Sequence, residues 1–273
     1  MIKSHNLLMA AAIGLSADKI KNFICSFRAV NPKDTFVVLV DEKTRVESRE
    51  FFLNHRVDAI ACDPSKYKTS PINSRHFFYL ELLDQFPNYK NILLSDTRDL
   101  VFQTNPFDHC PTDEEYFFAF EEDKNISLTF EVNNRIWLDT IYGAEVTESL
   151  KYKPILCGGA FFGSRSSMML FLTELKNQML SIPPNTFEWV VADQPALNYI
   201  CYIKKPPGLP ISIKENGDIM GNLCVSLVVP ASTDTVHLDL ISKKIIVNGK
   251  IPSMVHQYDR SPLLQNFYDS MYV

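Results

Sequence analysis

The sequence predicts a single α/β domain spanning residues 1–273, built on a mainly parallel central sheet flanked by helices and becoming mixed in its C-terminal half. Three observations predict it. Short apolar strands alternate with helices of about ten residues through the first half, the pattern of right-handed crossovers between parallel strands. The 273 residues are 46% apolar and 22% charged, enough to bury a sizeable core and too apolar for a disordered chain. No internal repeat, low-complexity tract or linker divides the chain.

The elements follow in order. LLMAAAIG begins the first strand, 7–13. Lys3 ahead of the run Leu7 to Leu15 imitates a short signal peptide. A charged helix follows without a break, which favours a buried strand over a signal peptide. That helix, 17–29, is capped by Ser16 and aligns Ile20, Phe23, Ile24 and Phe27 on one face. FVVLVD at 36–41, a helix at 44–55 and VDAIAC at 57–62 continue the alternation. DPSKYKTSPINS opens the helix RHFFYLELLDQF, and NILLSD is the next apolar strand. The second half is less regular. EYFFAFEE at 115–122 reads as a strand, RIWLDTIYG as a short helix, and CGGAFFGS at 157–164 as a strand with a glycine entry. Helices at 166–181 and 194–203 follow, then the strands LCVSLVVP and KIIVNGK and an aromatic C-terminus, FYDSMYV.

Composition excludes several functions. The net charge is −5, from 27 Lys plus Arg against 32 Asp plus Glu, which argues against non-specific nucleic-acid binding. Glycine is scarce, 9 residues against 16 prolines. Neither G-x-G-x-x-G nor G-x-x-x-x-G-K-[ST] occurs, so the two commonest nucleotide loops are missing. Cys25, Cys62, Cys110, Cys157, Cys201 and Cys224 form no C-x-x-C and mostly lie in apolar runs, which predicts buried free thiols in a reducing cytosol. No stretch approaches the roughly 20 apolar residues of a membrane span. The expectation is a cytoplasmic protein, soluble or peripheral at the inner face of a membrane.

Ligands of parallel sheets sit beyond the carboxyl ends of the strands, which makes Asp41 and Asp96 candidates for one crevice. The richest segment is NILLSDTRDLVFQTNPF at 91–107. Asp96 and Asp99 are three apart, whereas side chains on one face of a strand are two apart, so the chain must turn there. A turn lets both carboxylates converge on a hard divalent cation. The competing reading is a solvated strand end with an Asp–Arg pair. A haloacid-dehalogenase phosphatase needs its second aspartate two residues on, where this chain has Arg98.

Asp96-Thr97-Arg98-Asp99, followed by Asn105-Pro106-Phe107, resembles the D-x-D region of GT-A fold glycosyltransferases that use nucleotide sugars. Three further segments match that family in order, closest to its glycogenin-like, retaining group. Cys157 to Ser164 is similar to the small-residue strand approaching the donor and acceptor sugars, with Gly159 at the donor. Asp193-Gln194, then Ala196-Leu197-Asn198, resembles a D-Q-x-x-L-N element. Val255-His256 to Arg260 is similar to the C-terminal region that supplies a histidine metal ligand and a basic diphosphate contact. The resemblance spans roughly residues 6–262. One departure stands out: Arg98 occupies the second family aspartate's position, and the carboxylate is displaced to Asp99. A metal held by Asp96 and Asp99, one held by Asp96 alone, and Arg98 as a fixed cation all remain open, the first being the expectation.

The resemblance implies transfer of a sugar from a UDP- or GDP-sugar to a hydroxyl acceptor such as a growing polysaccharide. Residues 6–110 would bind the nucleotide and residues 111–273 the acceptor. Asp96, Asp99 and His256 would hold Mn²⁺ or Mg²⁺ against the diphosphate. Arg75, Arg98 and Arg260 would contact phosphate or ribose. Asp193 and Gln194 would lie under the donor sugar, retaining or inverting being undecided. Each has a structural alternative: a half-buried histidine for His256, a solvated helix residue for Arg75, a pair with Asp259 for Arg260, and a helix N-cap for Asp193. Trp137 and Trp189 are expected in the core, and the acidic run in FEEDK, 120–124, in a solvated loop. Two rival functions are a sugar-1-phosphate nucleotidyltransferase, whose glycine-rich loop is missing, and an inactive relative that binds glycan or nucleotide.

Overall fold

The computed structural model describes residues 5–223 and 234–272. Cys224 and nearly all of the expected strand LCVSLVVP lie outside the described residues.

The first strand, β1 (Asn6–Ala11), shows why the sheet is central. Leu7 and Met9 enter one core cluster while Leu8 and Ala10 enter another on the opposite face. Side chains of period two with both faces covered require a continuous apolar strand. Helix α1 (Ala17–Val30) covers one face through Ile20, Phe23, Ile24 and Phe27. Ser16 occupies its N-cap, but its side chain makes no capping hydrogen bond. Strand β2 (Thr35–Val40) follows, and the expected helix at 44–55 is two short ones, α2 (Glu42–Glu47) and α3 (Arg49–Asn54). Strand β3 (Asp58–Ala61) is the sheet edge. Helix α4 (Pro71–Leu83) begins with proline at its first turn behind the Ser70 cap and packs on the opposite face. Strand β4 (Asn91–Ser95) then pairs parallel with β1.

After β4 the chain makes a short strand, β5 (Leu100–Phe102), and returns through β6 (Phe117–Phe120). Helix α5 (Val132–Ser149) is longer than RIWLDTIYG alone suggests and breaks at Gly143, whose φ of 80° suits glycine. Strand β7 (Ala160–Ser164) leads into α6 (Arg165–Leu180), a turn of helix α7 (Pro184–Phe187), and α8 (Asp193–Tyr199). Beyond them lie β8 (Ile211–Lys214), β9 (Met220–Asn222), the hairpin β10 (Val236–Asp239) with β11 (Lys244–Val247), β12 (Met254–His256) and α9 (Pro262–Met271).

The main sheet runs β3-β2-β1-β4-β7-β6-β8. Its first four strands are parallel, and β7 is antiparallel between β4 and β6. This is the expected mainly parallel α/β sheet, mixed in its second half. Strand order reverses between β1 and β4, the switch point where ligands of such sheets bind. A second sheet, β5-β12-β9, brings the C-terminal part of the chain to that point.

Candidate active site

Strand β4 ends at Ser95, and residues 96–99 turn before β5 begins. The Asp96 amide donates to the Gly159 carbonyl at 2.7 Å, which pins the turn against the start of β7. Strand β12 pairs His256 with Leu100, one residue past Asp99. One ligand atom from each of Asp96, Asp99 and His256 therefore lies within 4.8 Å of the others. His256 Nε2 is 3.4 Å from Asp96 Oδ2 and 3.6 Å from Asp99 Oδ1. Each carboxylate gives its other oxygen to an arginine: Asp96 Oδ1 to Arg75, and Asp99 Oδ2 to Arg98 at 3.1 Å.

This set fits a divalent cation. Two hard carboxylate oxygens and one imidazole nitrogen suit Mg²⁺ or a first-row dication. Nε2 is buried and has no hydrogen-bond partner among the described residues. A Cβ on Gly159 would fall 2.3 Å from His256 Cε1, so only glycine lets the ring sit here. Burial alone would push the Asp99 carboxyl up; His256 and Arg98 beside it prevail and hold it well below the usual carboxylate range. Burial disfavours the His256 imidazolium, yet Cys157 and Asp99 outweigh it and raise the ring well above an ordinary histidine.

Arg75 is the hub of the site. It is 8% exposed, on the first turns of α4, and is no solvated helix residue. Its Nη1 contacts Asp96, and its Nη2 donates to Asp193 Oδ2 at 2.8 Å and to the Gly158 carbonyl at 3.2 Å. His76 Nε2 lies 3.3 Å from the same Asp193 oxygen, and burial drives that imidazole down to about 4. Asp193 is buried, which raises its pKa, but its hydrogen bond with His76 and the charge of Arg75 bring it below the usual range. Asp193 is the first helical residue of α8, and Ala192 occupies the N-cap.

Gln194 is held at both ends of its amide. The Gly158 amide donates to its Oε1 at 3.0 Å, and its Nε2 donates to Asn134 Oδ1 at 2.9 Å. Behind it lies Glu122, whose burial pushes its carboxyl up to about 7 despite a hydrogen bond with Gln194. The acidic run is thus no solvated loop: Glu122 and Asp123 are buried, because the Glu122 amide donates to the Ile155 carbonyl at 2.9 Å and folds the end of β6 inward.

A cavity of about 330 Å³ opens over these groups. Arg75, Asp96, Arg98, Asp99, Gly159, Asp193, Gln194 and His256 all border it, so eight of the nine expected site residues meet there. Ile13, Leu15, Pro71, Ile72, Trp137 and Val191 supply apolar wall. Arg260 is the exception: it pairs with Asp259 at 3.9 Å and does not border the cavity. Asp41 is also elsewhere, since it caps α2, accepting from the Thr44 amide at 2.9 Å. Trp189 is 63% exposed and not in the core. The five described cysteines are free thiols, three of them buried. Among the described residues no helix is long and apolar enough to cross a membrane.

No protein-family model and no curated protein matches the sequence. Solved structures do match the fold. An active-site mutant of LgtC superposes with a TM-score of 0.59 at 14% identity, over 96% of this chain and 93% of that one. A glycosyltransferase involved in the glycosylation of the major capsid of PBCV-1 aligns with a TM-score of 0.48 at 9% identity, over 95% of this chain and 98% of that one. The chain has a GT-A-like α/β fold, and at these identities the likeness extends to the fold alone.

Proposed function

We propose that the protein is a glycosyltransferase that moves a sugar from a nucleotide-diphosphate donor to a hydroxyl acceptor, with a divalent cation at Asp96, Asp99 and His256. The observation that carries this reading is the convergence of those three ligand atoms at the switch point of the sheet, beside a cavity that Asp193 and Gln194 also line. A dication there would neutralise the departing diphosphate, the charge that limits such a transfer. Residues 6–110 would hold the nucleotide and residues 111–273 the acceptor side. The wall at Ile13 and Leu15, beyond the carboxyl end of β1, suits a nucleoside.

The protein groups divide the remaining work. Arg98 borders the cavity with a half-exposed side chain and adds positive charge where the diphosphate would lie. Arg75 ties Asp96 to Asp193, so the cation end and the sugar end of the cavity are set by one guanidinium. Asp193 is fully engaged with Arg75, His76 and the Gln194 amide, which leaves it poorly suited to take an acceptor proton. That favours retention of configuration. The bond from the anomeric carbon to the diphosphate breaks, a bond to the acceptor oxygen forms on the same face, and the acceptor proton passes to the departing diphosphate. Gln194, fixed by Gly158 and Asn134, would face the cationic sugar with its amide oxygen. A glycan acceptor rests on the resemblance alone, and a cytoplasmic location on the dispersed cysteines.

The test is nucleotide release from a panel of UDP- and GDP-sugars, with and without Mn²⁺. Turnover of at least one donor in the presence of metal is expected. Donor binding without hydrolysis or transfer under any metal condition would leave a binding protein in place of the enzyme.

A further inference from the structure

We propose that Asn222 is a positioning residue for His256: its side-chain oxygen keeps a proton on Nδ1, so that Nε2 is the nitrogen presented to the cation. The proposal rests on the reading of Asp96, Asp99 and His256 as a cation site.

Asn222 ends β9 and is buried completely. Parallel pairing of β9 with β12 sets it directly beside His256. The orientation of its amide follows from its partners. Its Nδ2 is 2.8 Å from the Glu121 carbonyl, which accepts only, so the nitrogen must lie on that side. The oxygen is then left facing His256 Nδ1 at 3.1 Å. An amide oxygen also accepts only, so Nδ1 must carry the hydrogen. Cys157 Sγ, 3.3 Å from the same nitrogen, can accept or donate weakly and is compatible with that assignment. A neutral ring with its hydrogen on Nδ1 has its lone pair on Nε2. That lone pair is the buried atom without a partner, and it faces Asp96 Oδ2 and Asp99 Oδ1. With the ring neutral, these three atoms are all acceptors, which describes a place for a cation.

Asn222 is itself held. Its backbone amide donates to Asn216 Oδ1 at 2.7 Å, and Asn216 Nδ2 donates back to its backbone carbonyl at 3.1 Å. Turning the side chain over would set its oxygen against the Glu121 carbonyl and its NH₂ against the Nδ1 hydrogen. The strand pairing, the Asn216 clasp and the Glu121 carbonyl thus choose one of the two histidine tautomers. Outer partners of metal-bound histidines act in this way, and their loss typically costs about 10–100-fold in affinity.

The test uses the full chain without donor. Mn²⁺ binding is measured from the electron paramagnetic resonance of free Mn²⁺ for wild type, Asn222→Leu, Asn222→Asp and His256→Ala. Nitrogen-15 correlations of the histidine rings report the tautomer in the metal-free wild type, at a pH where the ring is neutral. The expected result is an Nδ1–H tautomer for His256 in wild type. Affinity should fall roughly 10–100-fold in Asn222→Leu and recover at least in part in Asn222→Asp, which keeps an acceptor. An Nε2–H tautomer in wild type overturns the proposal without any variant having to fold. So does a folded Asn222→Leu protein that binds Mn²⁺ as wild type does. If His256→Ala binds Mn²⁺ as well as wild type, or wild type binds none, the cation site itself is refuted and this proposal falls with it.

Discussion

Asp99 presents Oδ1 to His256 Nε2 across 3.6 Å while its other oxygen is held by Arg98. Without a cation, Cys157 and Asp99 beside the ring favour its charged, protonated form, so its pKa rises despite burial. With a cation, the proton must leave. The two states therefore respond oppositely to pH. A raised folded pKa contributes stability that is complete below the ordinary histidine value of 6.5 and is lost as pH climbs through the raised one. The metal-free protein is expected to lose melting temperature over that climb, and the gain in melting temperature from Mn²⁺ is expected to grow over it. Thermal melts across pH, with and without Mn²⁺, check both. His256→Gln should flatten the two trends together.

Gly159→Ala tests the close approach of the second sheet to the first. The added methyl would overlap the His256 ring, and neither β7 nor β12 can move without breaking its pairing. Overpacking of this kind costs roughly 1–3 kcal/mol. The variant should fold with a lowered melting temperature and lose most Mn²⁺ affinity, because the ring must leave its place. A Gly159→Ala protein with unchanged Mn²⁺ binding would show that His256 is not where the cation sits.

Arg75→Met removes one guanidinium from between two carboxylates. Asp193 then stays buried without its main charge partner, a situation that costs on the order of 3–5 kcal/mol. Denaturant melts should show that loss. Arg75→Lys keeps the charge but cannot reach Asp96, Asp193 and the Gly158 carbonyl at once, so it should recover only part of it.

Glu122 supplies an independent pH signature. Its folded pKa, about 7, lies above the ordinary glutamate value of 4.5 because burial penalises its charge. The group's contribution to stability is thus complete below 4.5 and is lost as pH rises through about 7. Glu122→Gln removes the ionisation and keeps a partner for Gln194. Above neutral pH the variant should be more stable than wild type, by roughly 1–3 kcal/mol, and the difference should vanish in acid. Equilibrium denaturation at two pH values decides it.

Much of the sheet was legible because its strands are buried on both faces and read as unbroken apolar runs. The turn at Asp96 and Asp99 was legible for a geometric reason, since three-residue spacing cannot hold one face of a strand. Other parts were hidden by contacts distant in sequence. Asp41 looked like Asp96, a carboxylate after a strand, but a threonine three residues on makes it a cap. FEEDK looked solvated because local composition does not reveal that the Ile155 carbonyl draws Glu122 inward. Arg75 was visible as a basic residue in the right place, but its carboxylate partners lie 21 and 118 positions away. Asn222 carried no signal at all, because its meaning comes only from the pairing of β9 with β12.

The most direct test of the whole account is nucleotide release from a UDP- or GDP-sugar by wild type and by Asp96→Asn, each with and without Mn²⁺. Wild type is expected to release nucleotide only with metal and the variant not at all, even though Asn preserves the size of the side chain. Equal release by the two proteins would contradict that expectation.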